Sequence, residues 1–510
     1  EREREREELV ATEFVDEMEA EDSIAEEDLK KLEEAMAKGN ASGEEDYSDD
    51  SDDEGKEKAK AMLGELAVKP VPDDGDHRSA HEGLELFFTN RFEDADAFFQ
   101  AKRHTVPMHA TAYAVIGFLR AIFTFEPDQI EEAKTRLTTA HKLARQHAGY
   151  DSALGSIAKM VTFRKAKLPT PEQLSARLNV AETKLIESVL VMLGENVSSL
   201  IKAGLGAKWA WHRYQELFMH LQSKENKGVD ICSSDLGGVY YGIGVFNLIL
   251  SILPKRIVRL VQFFGFQADR DMGLEALNKC CSLSEEHKTG LRAPLSSIML
   301  LGYHVLASAF FTVPEELPMH IKKAEAILAR EFAKFPDSAI FLFIEGRLDR
   351  LKGDGPRAIK SWEKCMSVNA DWVQLQHLCC YELGWSFMAN AHWGVAKGHW
   401  QRLVNESKWS KAFYVYMKAL CMLKEGMICE AAAEFGSMLE HTKRRFSGKQ
   451  IPIEAYIQRK VEDHELDSGQ GIESFGGKML VHEMLYLWNM IGSLSEDELA
   501  KTRTELEGLA

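Results

Sequence analysis

The chain has 510 residues, 80 of them acidic and 62 basic, for a formal net charge of -18. That length exceeds one ordinary hydrophobic core and fits either two or three domains or one extended repeat array. The acidity is local: residues 1–76 hold 29 acids and 10 bases, leaving 51 and 52 for the remainder, so the body is near neutral. A nucleic acid is excluded as a partner, because the head would repel it and the body has no basic run with interleaved aromatics.

Residues 1–76 read as a disordered acidic head. EREREREE opens it, EEDYSDDSDDEGKE follows at 44–57, and large apolar residues are too few to offset chain entropy. Good helix formers from Ile24 to Met36 allow a short helix with nothing to hold it. Ser51, followed by Asp52, Asp53 and Glu54, is a candidate phosphorylation site for an acid-directed kinase; a solvating tail with an incidental serine is the plainer alternative.

From His77 onward apolar residues recur at three- and four-residue spacing, and no window shows the period of two that a strand needs. The fold class expected is all-α, an α-solenoid of tetratricopeptide-type repeats. Residues 77–165 carry N-terminal helical repeats: Gly83, Ala95 and Phe99 lie in NRFEDADAFF, followed by Ala121, Ala133, Leu137 and Ala140. Residues 166–320 form a helical middle region without the repeat spacing. Its most apolar run, YGIGVFNLILSIL at 241–253, falls short of the roughly 20 residues that cross a bilayer. A buried core helix is one reading of it. The other is a lipid- or membrane-facing segment over 241–266, with Arg256 and Arg259 following and Phe263, Phe264 and Phe266 extending the apolar surface.

Residues 321–510 hold the clearest repeats and terminal helices. In 339–372, Gly346 stands where the first helix must let the second approach, Gly353-Asp354 makes the turn, and Ala358, Trp362 and Cys365 face inward. Gly384, Ala396 and Trp400 repeat the spacing, and Ala419, Ala431 and Phe435 repeat it again with Gly426 at the turn. One such unit cannot bury its apolar face alone, so the units must stack.

The eight cysteines, all in the body and without a CxxC, suit a reducing compartment. His377, Cys379 and Cys380 do not converge three ligands on one helix, and Cys280-Cys281 fares no better, so no metal is expected. Gly242-Ile243-Gly244 lacks the third glycine of a dinucleotide loop, Asn247 standing in its place, and His482-Glu483 lacks the second histidine of a zinc-protease motif. The residues therefore predict no catalytic site, no cofactor and no enzyme. No signal peptide is visible; since the chain starts at Glu1 without Met, an upstream targeting segment stays open.

Four ordered segments carry a family resemblance: 242–277, GIGVFNLILSILPKRIVRLVQFFGFQADRDMGLEAL; 291–311, LRAPLSSIMLLGYHVLASAFF; 341–365, FLFIEGRLDRLKGDGPRAIKSWEKC; and 483–489, EMLYLWN. NRFEDADAFF and FEPDQIEEA fit the same pattern. Over residues 77–490 the chain resembles the tetratricopeptide repeat protein 39 family, which includes the fungal inclusion-body-clearance proteins. The resemblance implies a cytosolic, non-enzymatic helical protein with no catalytic residues. It also links the chain to lipid droplets, inclusion clearance, mitochondrial association and lipid homeostasis; the sequence leaves the nucleus open.

What remains is recognition. Positions 2, 5, 9 and 12 of the first helix of a tetratricopeptide unit line the concave groove. They are Ile340, Phe343, Arg347 and Arg350, then Leu378, Tyr381, Trp385 and Met388, then Phe413, Tyr416, Leu420 and Leu423. Such a groove is apolar and aromatic with one basic corner, and it lacks the Lys and Asn of a carboxylate clamp. An apolar segment or helix of a protein partner is the ligand expected. The alternative is that the protein's own middle region fills the groove and that Arg347 and Arg350 pair internally.

Overall fold

The computed structural model describes residues 63–64, 67–73, 75–124, 126–149, 169–192, 197–223, 226–253, 269–287, 290–311, 313–369, 371–442, 445–446, 449–469, 471–472, 475–494 and 496–509. Ser51 and the 24–36 segment lie outside them. The described chain begins within the stretch expected to be disordered to residue 76: Leu63, Val68 and Asp73 are buried. The head's charge tally masks this short apolar stretch at its end, AMLGELAVKPVP at 61–72.

The elements in chain order are β1 Lys69–Val71, α1 Gly75–Phe88, α2 Phe92–Ala101, α3 Pro107–Thr124, α4 Pro127–His147, α5 Pro171–Met192, α6 Val197–Gln222, β2 Asp230–Cys232, α7 Ser233–Ser251 and α8 Arg270–His287. There follow α9 Ala293–Leu301, a π-helical turn Gly302–Ala307, α10 Ser308–Phe311, α11 Leu317–Lys334, α12 Ala339–Leu351, α13 Gly355–Val368, α14 Val373–Ala389, α15 Trp393–Glu406, α16 Lys411–Lys424 and α17 Ile428–His441. The chain closes with β3 Arg445–Phe446, β4 Lys449–Gln450, α18 Pro452–Asp463, α19 Phe475–Leu487 and α20 Glu496–Leu509. The architecture is helical; β1 pairs with β2 and β3 with β4 in ladders too short to display a sequence period.

The chain divides into two compact units. One comprises the described residues of Ala144–Ile231 and Gly242–Ala276 with the described residues up to Pro70. Its core is the α5–α6 hairpin and the apolar part of α7. A Cβ on Gly206 would lie 2.5 Å from the Ser188 hydroxyl, and one on Gly242 would overlap the Tyr214 ring. Phe246 stacks on Trp211 at 4.4 Å.

The other unit comprises Val71–Leu143, Cys232–Tyr241 and Leu277–Ala510. Here α12/α13, α14/α15 and α16/α17 form successive helix pairs. The second helix of the first pair starts where Asp354 accepts a hydrogen bond from the Arg357 amide at 3.1 Å, with proline in its first turn. Small residues let the paired helices approach: a Cβ on Gly346 would lie 2.4 Å from Trp362, and one on Gly384 2.7 Å from Trp400. The same unit seats the N-terminal pair α1/α2 beside the later repeats. Phe88 stacks on Phe335 and Phe341, and Phe87 and Phe92 pack on Trp372. The Asn90 side chain donates to the Asp337 carbonyl and accepts from the Ala339 amide, both at 2.7 Å, which closes the seam.

Candidate functional site

Of the expected groove residues, Trp385 and Met388 of α14 and Phe413, Tyr416 and Leu420 of α16 share one apolar cluster with Tyr381 and Leu423 packed against it, and Arg347 and Arg350 of α12 meet α14 beside it, which together make an inner face. Ile340 is buried on α12, as are Trp385 and Met388 on α14 and Phe413, Tyr416 and Leu420 on α16; Phe343, Leu378, Tyr381 and Leu423 are half-buried. The glycines of these helices make room for rings on the helix that follows, Gly346 of α12 for Trp362 of α13 and Gly384 of α14 for Trp400 of α15. Trp385 packs edge-on to Trp400 at 5.7 Å, and the Trp400 indole N–H donates to the Met388 sulfur at 3.3 Å.

What covers this face is α19 and the residue just after it, where the sequence left open a partner segment or the protein's own middle region. Leu480, Val481, Met484 and Leu485 of α19 share one apolar cluster with Trp385, Phe413 and Tyr416. Just beyond α19, Trp488 stacks on Trp385 at 5.2 Å and on Phe413 at 5.1 Å. Its indole N–H donates to the Tyr381 hydroxyl oxygen. Burial pushes the Tyr381 hydroxyl up to about 12, so it stays protonated over any ordinary pH.

The basic corner is built from three side chains on two helices. Arg347 and Arg350, one turn apart on α12, bond the two oxygens of Glu382 on α14. Glu382 is buried, while the two guanidiniums keep 25% and 17% of their side-chain surface. Arg350 also lies over the Trp362 ring, 5.4 Å from its centre. Burial lowers the Arg350 pKa, Glu382 opposes the shift, and the like charge of Arg347 adds to it.

The chain matches one known family over most of its length: the Iml2/tetratricopeptide repeat protein 39 model matches residues 81–509. The chain belongs to that family. Among solved structures, the crystal structure of the yeast Tom70 is similar over 80% of this chain and 98% of its own, at 9% identity and a TM-score of 0.31. In this member of the Iml2/tetratricopeptide repeat protein 39 family, the repeats form a helical scaffold.

Two residues central to the face escaped the sequence reading. Glu382 directly follows Tyr381 and is one carboxylate among many in the sequence. Trp488 lies in EMLYLWN, a segment noted only for its family resemblance.

Other sequence candidates take structural places. His377 pairs with Glu406 at 3.2 Å, and Cys379 and Cys380 are buried; burial raises the Cys380 thiol to about 11. Among the described residues no group of three His, Cys, Asp or Glu side chains is placed to hold a metal. The Gly242-Ile243-Gly244 glycines serve helix packing: Gly242 faces Tyr214, and the Gly244 carbonyl lies 3.1 Å from where a Cβ on Gly273 would be. In the apolar run, Ile243, Phe246 and Leu248 are buried, so these side chains are committed to the fold. Residues 254–266 of that segment lie outside the described residues. Among the described residues no helix is long and apolar enough to cross a membrane.

Proposed function

We propose that the protein is a non-enzymatic interaction scaffold whose repeat helices hold protein partners, working peripherally in the lipid-droplet, inclusion-clearance or lipid-homeostasis pathways that the family resemblance suggests. The observation that carries this reading is the seating of Trp488 on Tyr381, Trp385 and Phe413. An inner face that takes up an aromatic side chain from just past a helix of its own chain has the chemistry for helix-in-groove recognition.

The test is crosslinking mass spectrometry of the full chain in native cytosol. Reproducible partner crosslinks concentrated on the repeats at 339–441 are the expected result. Crosslinks absent from that region, with the protein folded, would remove the scaffold reading. Flotation of the same material with lipid droplets checks the peripheral placement, and a chain that stays wholly at the bottom of the gradient argues against it.

A further inference from the structure

The inner face has an aromatic part and a cationic part, and they touch. Tyr381 joins them: its hydroxyl takes the Trp488 indole N–H, while Glu382, next in sequence, takes both arginines. Electrostatically the two parts also act on each other, since the Arg347 charge is among the influences on the Tyr381 hydroxyl.

The charges at this corner do not balance. Two guanidiniums share one carboxylate, and among the described residues Glu382 is the acid bonded to either. The other acids of α12 are engaged elsewhere: Glu345 with Ser361 and Arg357, and Asp349 with Arg357 and Lys352. Each guanidinium has five N–H donors and uses one nitrogen on Glu382, so donors remain at a half-buried place where a second carboxylate would bind in a bidentate way.

The side chain in the aromatic part is flanked in sequence by exposed residues. Trp488 is half-buried, and its neighbours Tyr486 and Leu487 are 74% and 49% exposed. Asn489, directly after it, takes a left-handed φ of 53° and ends the helix. Beyond it α20 is tied back by Glu505, which bonds Lys424 and His482.

We propose that the inner face of α12, α14 and α16 is a receptor site for a segment of a partner protein that presents an aromatic side chain beside a carboxylate. Trp488 occupies the aromatic half as a resident ligand, and Arg347 and Arg350 are the anionic half. A partner segment displaces Trp488 and supplies the second carboxylate. The proposal rests on the scaffold reading in taking this face as the recognition surface.

The experiment uses the full chain carrying Trp488→Ala and a labelled synthetic peptide of residues 475–494, read by fluorescence anisotropy. Three further peptides carry Tyr486→Glu, Leu487→Glu or Asn489→Glu, at exposed positions flanking the tryptophan. The parent peptide should bind the Trp488→Ala chain at least about tenfold tighter than the wild type, whose site is filled. One or more acidic peptides should bind about five- to tenfold tighter than the parent. That gain should vanish in Arg347→Gln/Arg350→Gln and shrink at about 0.5 M salt.

Failure of the parent peptide to bind a folded Trp488→Ala chain overturns the proposal, as does an acidic gain that persists without the arginines. If the alanine variant does not melt like the wild type, Trp488→Leu replaces it, keeping apolar bulk without the indole donor. Should neither keep a cooperative melt, Trp488 is a folding element and not a displaceable ligand, and the proposal falls. Peptide binding lost while partner crosslinks on 339–441 persist would sink this inference alone and leave the scaffold reading standing.

Discussion

Gly346 and Trp362 lie so close that a Cβ on the glycine would stand 2.4 Å from the indole nitrogen. The relationship repeats sixteen residues apart at Gly384 and Trp400 and at Gly83 and Phe99, where the added atom would meet the ring at 2.7 and 2.4 Å. Because the rings are buried and have nowhere to move, Gly346→Ala and Gly384→Ala should each cost about 1–3 kcal/mol. Urea melts of the full chain measure this. An alanine tolerated at both positions would mean the helix pairs are more loosely packed than these distances imply.

Seven residues after each small residue the chain turns through left-handed backbone: Asn90, Gly353, Ala391 and Gly426 have φ of 69°, 80°, 55° and 76°. Ala391 is the misfit, since an alanine Cβ is strained there and glycine is not. Ala391→Gly should therefore stabilise by about 0.5–1 kcal/mol, whereas Gly353→Ala should destabilise by about 1 kcal/mol. Thermal melts of the two variants should move in opposite directions.

Asn90 combines that backbone with the two hydrogen bonds that tie the first helix pair to α12. Asn90→Gly keeps the conformation and loses the bonds, at about 1–2 kcal/mol for two partly exposed bonds. Asn90→Ala loses both features and should cost about 1 kcal/mol more. Equal melting temperatures for the two variants would show that the turn conformation contributes nothing.

Removal of Glu382 leaves Arg347 and Arg350 facing each other. Glu382→Gln should destabilise by about 2–3 kcal/mol, less than for a fully buried pair because both arginines retain solvent contact. Arg347→Met/Arg350→Met added to Glu382→Gln should restore part of the loss. A triple variant no more stable than the single one would show that charge repulsion is not the cause.

His304, in the π-helical turn, and His320 on α11 share a proton between their Nδ1 atoms, 2.8 Å apart and buried. Burial, then His320 and Lys323, lowers the His304 pKa to about 3, below the 6.5 of an unfolded histidine. The unfolded chain thus takes up first the additional proton that charges the His304 ring. The contribution to stability is complete above about pH 6.5 and is lost as pH falls toward 3, by at most about 1.4 kcal/mol per unit. His304→Gln keeps a donor for His320 and should flatten the stability profile between about pH 6.5 and 4 relative to the wild type. Parallel profiles would place the acid sensitivity elsewhere.

The sequence alone determined the repeat unit and which side of each helix is apolar. Gly346, Ala358 and Trp362 act within one helix pair, and local spacing encodes a local contact. The inner-face positions Tyr381, Trp385 and Tyr416 were readable for the same reason. Only the tertiary structure decided what covers that face and what balances its charges. Trp488 reaches Tyr381 across 107 positions, Glu382 reaches Arg347 across 35, and Asn90 reaches Asp337 across 247. Periodicity reports that a surface must be buried but carries no information about its partner. That choice belongs to packing and charge pairing among segments far apart in the chain, which only the folded backbone brings within reach.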